Sequence, residues 1–211
     1  MSSQRPCMIT QSDIQIPVME QFLTLQGEGR FTGHTAYFIR LGGCDVGCVW
    51  CDVKESWDIS KHPLYDINTL VKNVQSSGSK MVVITGGEPF MHDLTVLTKL
   101  LGDHKIRTHV ETSGAHHISG SWDWITLSPK KFKAPLDGAL EMANELKVII
   151  YNKSDFDWAE KYAQQVNENC LLYLQPEWSK SHEMNPLIIE YIKKHPKWIL
   201  SLQTHKFLDI P

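Results

Sequence analysis

Six short apolar runs in this chain each end in a cluster of glycine, proline or polar residues. Leu41 runs into Gly42-Gly43-Cys44, Ile84-Thr85 into Gly86-Gly87-Glu88-Pro89, and Val110-Glu111 into Thr112-Ser113-Gly114. Leu127 leads to Ser128-Pro129-Lys130, Leu174 to Gln175-Pro176, and Leu202 to Gln203-Thr204-His205-Lys206. One such cluster reads as an ordinary turn. Six in succession, each closing a β-type run, read as one functional rim, because α/β barrels collect their active sites at the C-terminal ends of the strands.

The apolar runs predict strands at Thr35–Leu41, Met81–Thr85, Arg107–Glu111, Trp124–Ser128, Leu146–Tyr151, Leu171–Gln175 and Trp198–Gln203. Helical spacing lies between them. Asp93 is placed to cap a segment carrying Leu94, Leu97, Leu100 and Leu101, and Ser154 to cap one carrying Trp158, Ala159, Tyr162, Ala163 and Val166. A third helix is expected from Asn185 to Lys194. Strand–helix alternation of this kind predicts an α/β fold with a mostly parallel sheet and crossover helices. With 211 residues and no repeat or linker, a single domain over 1–211 is expected.

Bulk properties exclude several classes. The chain has 24 acidic and 21 basic residues, a net charge of −3 with no single-sign block, which argues against a nucleic-acid surface. No apolar run approaches a membrane span, and the first residues, MSSQRPCMITQSD, lack the apolar stretch of a signal peptide. Five cysteines, three of them crowded together, fit a secreted disulfide framework badly. A cytoplasmic location is expected, with neither membrane nor nucleic acid as partner.

The crowded cysteines are Cys44, Cys48 and Cys51, spaced C-x-x-x-C-x-x-C and followed by Asp52. Three thiolates can hold three irons of a cubane and leave the fourth open, whereas electron-carrying clusters use four Cys. The same residues suit a zinc site if His34 or His62 supplies a fourth ligand. Spacing alone leaves both open. Cys7 and Cys170 read as spectators. His34, His92, His104, His109, His116, His117, His182 and His195 reproduce no recognisable ligand set by spacing, and only His205 stands in a motif. Gly86-Gly87-Glu88-Pro89 is the second chemical signal: its glycines let backbone approach a ligand, and Glu88 can accept from an ammonium.

The cysteine triplet together with Gly86-Gly87-Glu88-Pro89 resembles the radical S-adenosylmethionine (SAM) superfamily. The resemblance implies an abbreviated, incomplete (β/α) barrel of the radical SAM type. It also implies a 4Fe-4S cluster on Cys44, Cys48 and Cys51, whose open iron chelates SAM and cleaves it to a 5′-deoxyadenosyl radical. A narrower similarity runs in order along nearly the whole chain. It is carried by Phe22 to Gly29, Phe38-Ile39-Arg40, Cys48-Val49-Trp50-Cys51-Asp52, Glu111 to Gly114, Ser128-Pro129-Lys130, Leu174-Gln175-Pro176 and Leu202 to Lys206. These segments look like the 7-carboxy-7-deazaguanine synthase family, which converts 6-carboxy-5,6,7,8-tetrahydropterin to 7-carboxy-7-deazaguanine with loss of ammonia, on the route to queuosine.

What this second resemblance implies is specific. SAM contacts fall to Trp50, Cys51, Asp52, Gly86, Gly87, Glu88, Pro89, Gly114, Ser128, Pro129, Lys130, Gln175 and Pro176, with Glu111 and Lys147 as possible additions. Substrate contacts fall to Leu25, Gln26, Gly27, Glu28, Arg40, Thr112 and Pro211, with Arg40 the fork for the substrate carboxylate. A homodimer and a reductant such as flavodoxin or ferredoxin are implied as partners. Magnesium is implied as well, on a Thr that follows the Cys-Asp pair; this chain has Val53 there, which leaves the magnesium ligand unknown. Two rivals remain at this stage. A glycyl-radical activase would leave Gln26-Gly27-Glu28-Gly29 and the C-terminal tail unexplained, and a zinc or cluster protein without catalysis is separated from both enzymes by a SAM-cleavage assay after anaerobic reconstitution.

Overall fold

The computed structural model describes residues 14–211, so Cys7 lies outside the described residues. Its strands are β1 (Gln15–Leu25), β2 (Thr35–Leu41), β3 (Leu64–Asp66), β4 (Met81–Gly86), β5 (Arg107–Thr112), β6 (Trp124–Leu127), β7 (Glu145–Ile150), β8 (Leu171–Pro176) and β9 (Trp198–Leu200). The helices are α1 (Ile67–Ser76), α2 (Thr95–Asp103), α3 (Ser154–Ala163), α4 (Ser181–Lys194) and α5 (Thr204–Leu208). One nine-stranded sheet runs in the order β3-β1-β2-β4-β5-β6-β7-β8-β9. From β2 to β9 every neighbouring pair is parallel, while β1 is antiparallel to both β2 and β3. The sheet is not closed, since β3 and β9 are its edges. The expected incomplete α/β barrel is the fold.

Each predicted strand is present, with ends shifted by one residue in most cases; the last is cut to Trp198–Leu200 because Gln203 leads into α5. Four elements are additional, one of them the short α5. β1 carries a register shift between Val18 and Glu20, which breaks the alternation that would mark it as a strand. β3 has only three residues. The third, α1, is capped by Asp66, whose side chain accepts from Thr69 N, and buries Ile67, Leu70, Val71 and Val74. Capping differs from expectation at two helices. Asp93 bonds Thr95 N at 2.9 Å, but Leu94 holds the N-cap position, and Ser154 lies inside α3 with Lys153 at its cap. The third expected helix starts earlier, at Ser181, and accommodates Pro186 within its second turn.

Two apolar clusters close the outer face of the sheet. Leu70, Val74, Leu97 and Leu101 from α1 and α2 pack on Ile39, Ile84 and Val110, and Phe156, Ala159, Met184 and Ile188 from α3 and α4 pack on Val148, Ile150 and Leu174. Each fully buried aliphatic side chain contributes about 1.5–3 kcal/mol relative to exposure. Cys170 is buried in the second cluster, where burial pushes its thiol up to about 12, so it is an inert core residue.

The inner face is partly polar even far from the rim. His109 is fully enclosed there: Nε2 pairs with Thr126 Oγ1 at 2.9 Å, Nδ1 has no partner, and burial lowers the ring to about 4. The native state therefore keeps His109 neutral while the unfolded chain takes up a proton below about pH 6.5, so stability falls as pH falls from about 6.5 to about 4. That window corresponds to about 3 kcal/mol. A His109→Gln variant should unfold in urea with a flatter acid limb than the parent; an unchanged acid limb would show that His109 does not set it.

Candidate active site

The six strand-end clusters line one cavity at the C-terminal edge of the parallel strands. Cys44 follows β2, Gly86 ends β4 and Gly87-Glu88 follow it, Thr112 ends β5 with Ser113 next, and Ser128 and Lys130 follow β6; Gln175 and Pro176 end β8, and Gln203 and His205 open α5. Cys48 and Cys51 join Cys44 in the wall. Leu25 to Glu28, Arg40, Trp50, Asp52, Val53 and Pro211 face the same space. Pro89, Gly114 and Pro129 do not: Pro89 starts a buried turn, Pro129 is buried, and Gly114 backs onto Leu127 and Pro135.

The cysteine loop is set by contact between strand ends. Glu88 N donates to Gly43 O at 2.8 Å and Gly87 N to Leu41 O at 2.9 Å, which seats the glycine segment on the residue before Cys44. Gly87 is required by this approach, since a Cβ there would lie 2.1 Å from Gly43 O. The glycine pair thus serves backbone-to-backbone packing under the cysteine loop. Glu88 is likewise occupied: 1% exposed, it accepts from Thr112 Oγ1 at 2.6 Å, Ser113 N at 2.8 Å, Phe90 N at 3.2 Å and the Ser113 hydroxyl. Thr112 spends its hydroxyl on Glu88 and on Gly114 N. Both side chains brace the rim by tying β4 to β5.

The donor set suits an iron–sulfur cluster. Burial raises the Cys44 thiol and pushes Cys48 up to about 11, so thiolates form here only when a cationic centre compensates the desolvation. Among the described residues no three His, Cys, Asp or Glu side chains converge on a single ion, and the three thiols instead share a cavity wall, as ligands to a multi-atom centre do. Neither His34 nor His62 lines the cavity; His34 bonds Phe31 O and His62 bonds Glu55 O instead, so neither supplies the fourth ligand that zinc would need. Beside the cysteines, Lys130 donates to Ser128 O at 2.8 Å and Ser128 Oγ at 2.6 Å, and its ammonium lies 5.8 Å from the centre of the Trp50 ring. Burial lowers its pKa. Its hydrogen bonds go to Ser128 rather than to a carboxylate, so it can still meet one.

The same cavity is lined by a charged network. Lys147, 4% exposed on β7, donates to Glu111 Oε2 at 2.9 Å and to Glu28. Gln26 Nε2 donates to Glu111 Oε1 at 2.9 Å, and Gln203 Nε2 to Glu28 Oε1 at 2.9 Å. Burial would lower the Lys147 ammonium, but Glu111 and Glu28 outweigh it and raise it above its ordinary range. Burial would raise Glu111, and Lys147 outweighs that in turn, so both groups are charged at neutral pH. The chain end folds over the network: Thr204 N and Oγ1 both donate to Gly27 O at 2.9 Å, and the His205 ring packs where a Cβ on residue 27 would stand. Arg40 combines two environments. It lines the cavity, lies 5.3 Å from the Phe22 ring centre, and pairs with Glu20 at 2.8 Å across the β1–β2 register.

An open parallel barrel with three thiols on its C-terminal rim is the architecture of a radical SAM enzyme, and the Radical SAM superfamily profile matches residues 38–128. The chain belongs more narrowly to the 7-carboxy-7-deazaguanine synthase family. It is 56% identical to 7-carboxy-7-deazaguanine synthase of Flavobacterium psychrophilum over 93% of both chains, and 50% identical to that of Synechocystis sp. over 93% of this chain and 94% of the other. The crystal structure of QueE from Escherichia coli superposes with a TM-score of 0.81 at 34% identity, covering 91% of this chain and 95% of that one. A 4Fe-4S cluster and SAM follow from the superfamily. Among the described residues no helix is long and apolar enough to cross a membrane.

Proposed function

We propose that this chain converts 6-carboxy-5,6,7,8-tetrahydropterin to 7-carboxy-7-deazaguanine, contracting the ring and releasing ammonia. The supporting observation is that one cavity is lined both by the three thiols and by Gln26, Glu28, Glu111 and Arg40. Cys44, Cys48 and Cys51 would hold a 4Fe-4S cluster, which would supply the electron for reductive cleavage of SAM. The protein's own work is placement. Ser128 and Lys130 suit the hydroxyl and carboxylate groups of SAM, and Gln175 adds an amide at the same rim. Glu28 and Glu111, held by Lys147, present acceptors to the amine-rich pterin edge. Phe22, Phe38, Val46 and Ile149 line the cavity with apolar surface that excludes water. No side chain acts as a nucleophile.

Arg40 is read as the anchor of the substrate carboxylate, released from Glu20 or shared with it. Loss of one charge-assisted fork costs about 1.5–3 kcal/mol, so Arg40→Ala should raise KM for the carboxypterin about 10- to 100-fold with SAM affinity unchanged. An unaltered KM would remove the assignment. The whole reading is tested by anaerobic reconstitution with iron and sulfide, followed by incubation with SAM, a reductant and the carboxypterin. Formation of 7-carboxy-7-deazaguanine is the expected result; SAM cleavage without that product would reject the substrate. The thiols suit a reducing compartment such as the cytoplasm, with flavodoxin or ferredoxin as electron donor and a homodimer as the working unit.

A further inference from the structure

The residue after Cys51-Asp52 is where the family resemblance puts a divalent-cation ligand, and this chain offers such an ion nothing there. Val53 has no side-chain oxygen. Its carbonyl already accepts two hydrogen bonds, from Ser56 N at 3.1 Å and from Ser56 Oγ at 2.7 Å. Apart from Asp52, the Asp and Glu side chains facing the cavity are also committed: Glu28 and Glu111 to Lys147, Glu88 to Thr112 and Ser113, and Glu177 to Ser179 and Lys180 N. Magnesium needs an octahedral set of oxygen ligands, of which the protein normally supplies one or two carboxylates. The residues present do not fit that ion.

The remaining carboxylate, Asp52, is paired with an ammonium. Lys206 Nζ donates to Asp52 Oδ2 at 2.9 Å and lies 5.2 Å from the centre of the Trp178 ring, which Phe207 meets edge-on at 5.2 Å. The Lys206 side chain is 22% exposed, and both Asp52 and Trp178 face the cavity. A cation held between a carboxylate and an indole face is fixed in direction as well as in charge. Lys206 belongs to α5, which is pinned to Gly27 by Thr204 and to Glu28 by Gln203. The ammonium therefore reaches Asp52 only when the C-terminal segment lies across the cavity.

We propose that Lys206 replaces the divalent cation in this chain. Its ammonium, paired with Asp52 at the cavity edge, supplies the fixed positive charge that draws in the substrate carboxylate, and that charge is in place only while residues 203–211 are closed. The proposal rests on the reading that the cavity takes a carboxylate-bearing pterin. It makes Lys206 a positioning residue and the enzyme independent of magnesium.

The test uses the reconstituted enzyme with its cluster kept oxidised, stripped with EDTA, and compares the parent with Lys206→Met and Lys206→Arg. Mn²⁺ is the metal probe, followed by electron paramagnetic resonance in the presence of SAM and carboxypterin. The parent should leave the Mn²⁺ signal that of the free ion and should turn over equally with and without added Mg²⁺. Lys206→Met should raise KM for the carboxypterin about tenfold, leave the SAM dissociation constant unchanged, and speed hydrogen exchange over residues 203–211 about 2- to 5-fold; Lys206→Arg should restore most of both. Stoichiometric Mn²⁺ binding, a severalfold stimulation by Mg²⁺, or a Lys206→Met variant with parental KM and exchange would overturn the proposal. A parent that cleaves SAM but yields no deazaguanine would reject the substrate reading alone, because metal binding and hydrogen exchange still judge the ammonium.

Discussion

A Lys147→Met variant is expected to lose about 3–5 kcal/mol of folding stability, the range found when one partner of a buried ion pair is removed. Met matches the stem of the lysine and fills its volume, so the loss measures charge rather than packing. Without the ammonium, Glu28 and Glu111 face each other in a space that Lys147, 4% exposed, now neutralises. The sign of the pH response separates this from simple destabilisation. In the parent, Glu111 is held below its ordinary value, so its contribution is present above about pH 4.5 and is lost as pH falls through the lower native value. In the variant, the same carboxyl is buried without a counter-charge and rises, so its penalty grows as pH rises above about 4.5. Urea unfolding between pH 4 and pH 8 should therefore show the gap between the two proteins widening with pH. A Lys147→Met/Glu111→Gln double variant should regain much of the stability but little turnover, since the acceptor edge would remain altered. A single variant within about 1 kcal/mol of the parent would mean that the pair behaves like a surface ion pair.

The rim was legible in the sequence because each apolar run closes with residues that cannot continue a strand, and a parallel sheet brings such ends together. The cysteine triplet was legible for the same local reason: its ligands sit within eight residues. What escaped notice depends on distant pairing. Glu88 reads as an ammonium acceptor until Thr112 and Ser113, contributed by the next strand, take up both of its oxygens. Arg40 reads as a free fork until β1 places Glu20 opposite it, and β1 itself is masked by its bulge. The Lys147 network joins the loop after β1, β5, β7 and the chain end, four segments with no common spacing. By contrast α1 had a readable signal that was missed: Asp66 precedes Ile67, Leu70, Val71 and Val74 at helical intervals.

The glycine beneath the cysteine loop makes the sharpest case that strand packing governs the cofactor site. In Gly87→Ala the new methyl would stand 2.1 Å from Gly43 O and 3.2 Å from Cys44 Cβ. The first contact is backbone, which cannot rotate aside, so the chain entering Cys44 has to move and the 2.8 Å bond from Glu88 N to Gly43 O is strained or lost. The sheet below remains paired from Tyr37↔Val82 onward, which predicts a folded protein with a misplaced ligand. A displacement near 1 Å at a reacting centre costs about 10²-fold in rate, and turnover should fall by at least that factor. Iron and labile sulfide per chain after reconstitution should drop while circular dichroism stays parental. Gly102→Ala is the control: that glycine lies in α2 with nothing within 4 Å of an added Cβ, so alanine there should add about 0.5–1 kcal/mol of stability and leave the cluster untouched. If the two alanine variants retain equal iron, the contact between Gly87 and Gly43 does not set the position of Cys44.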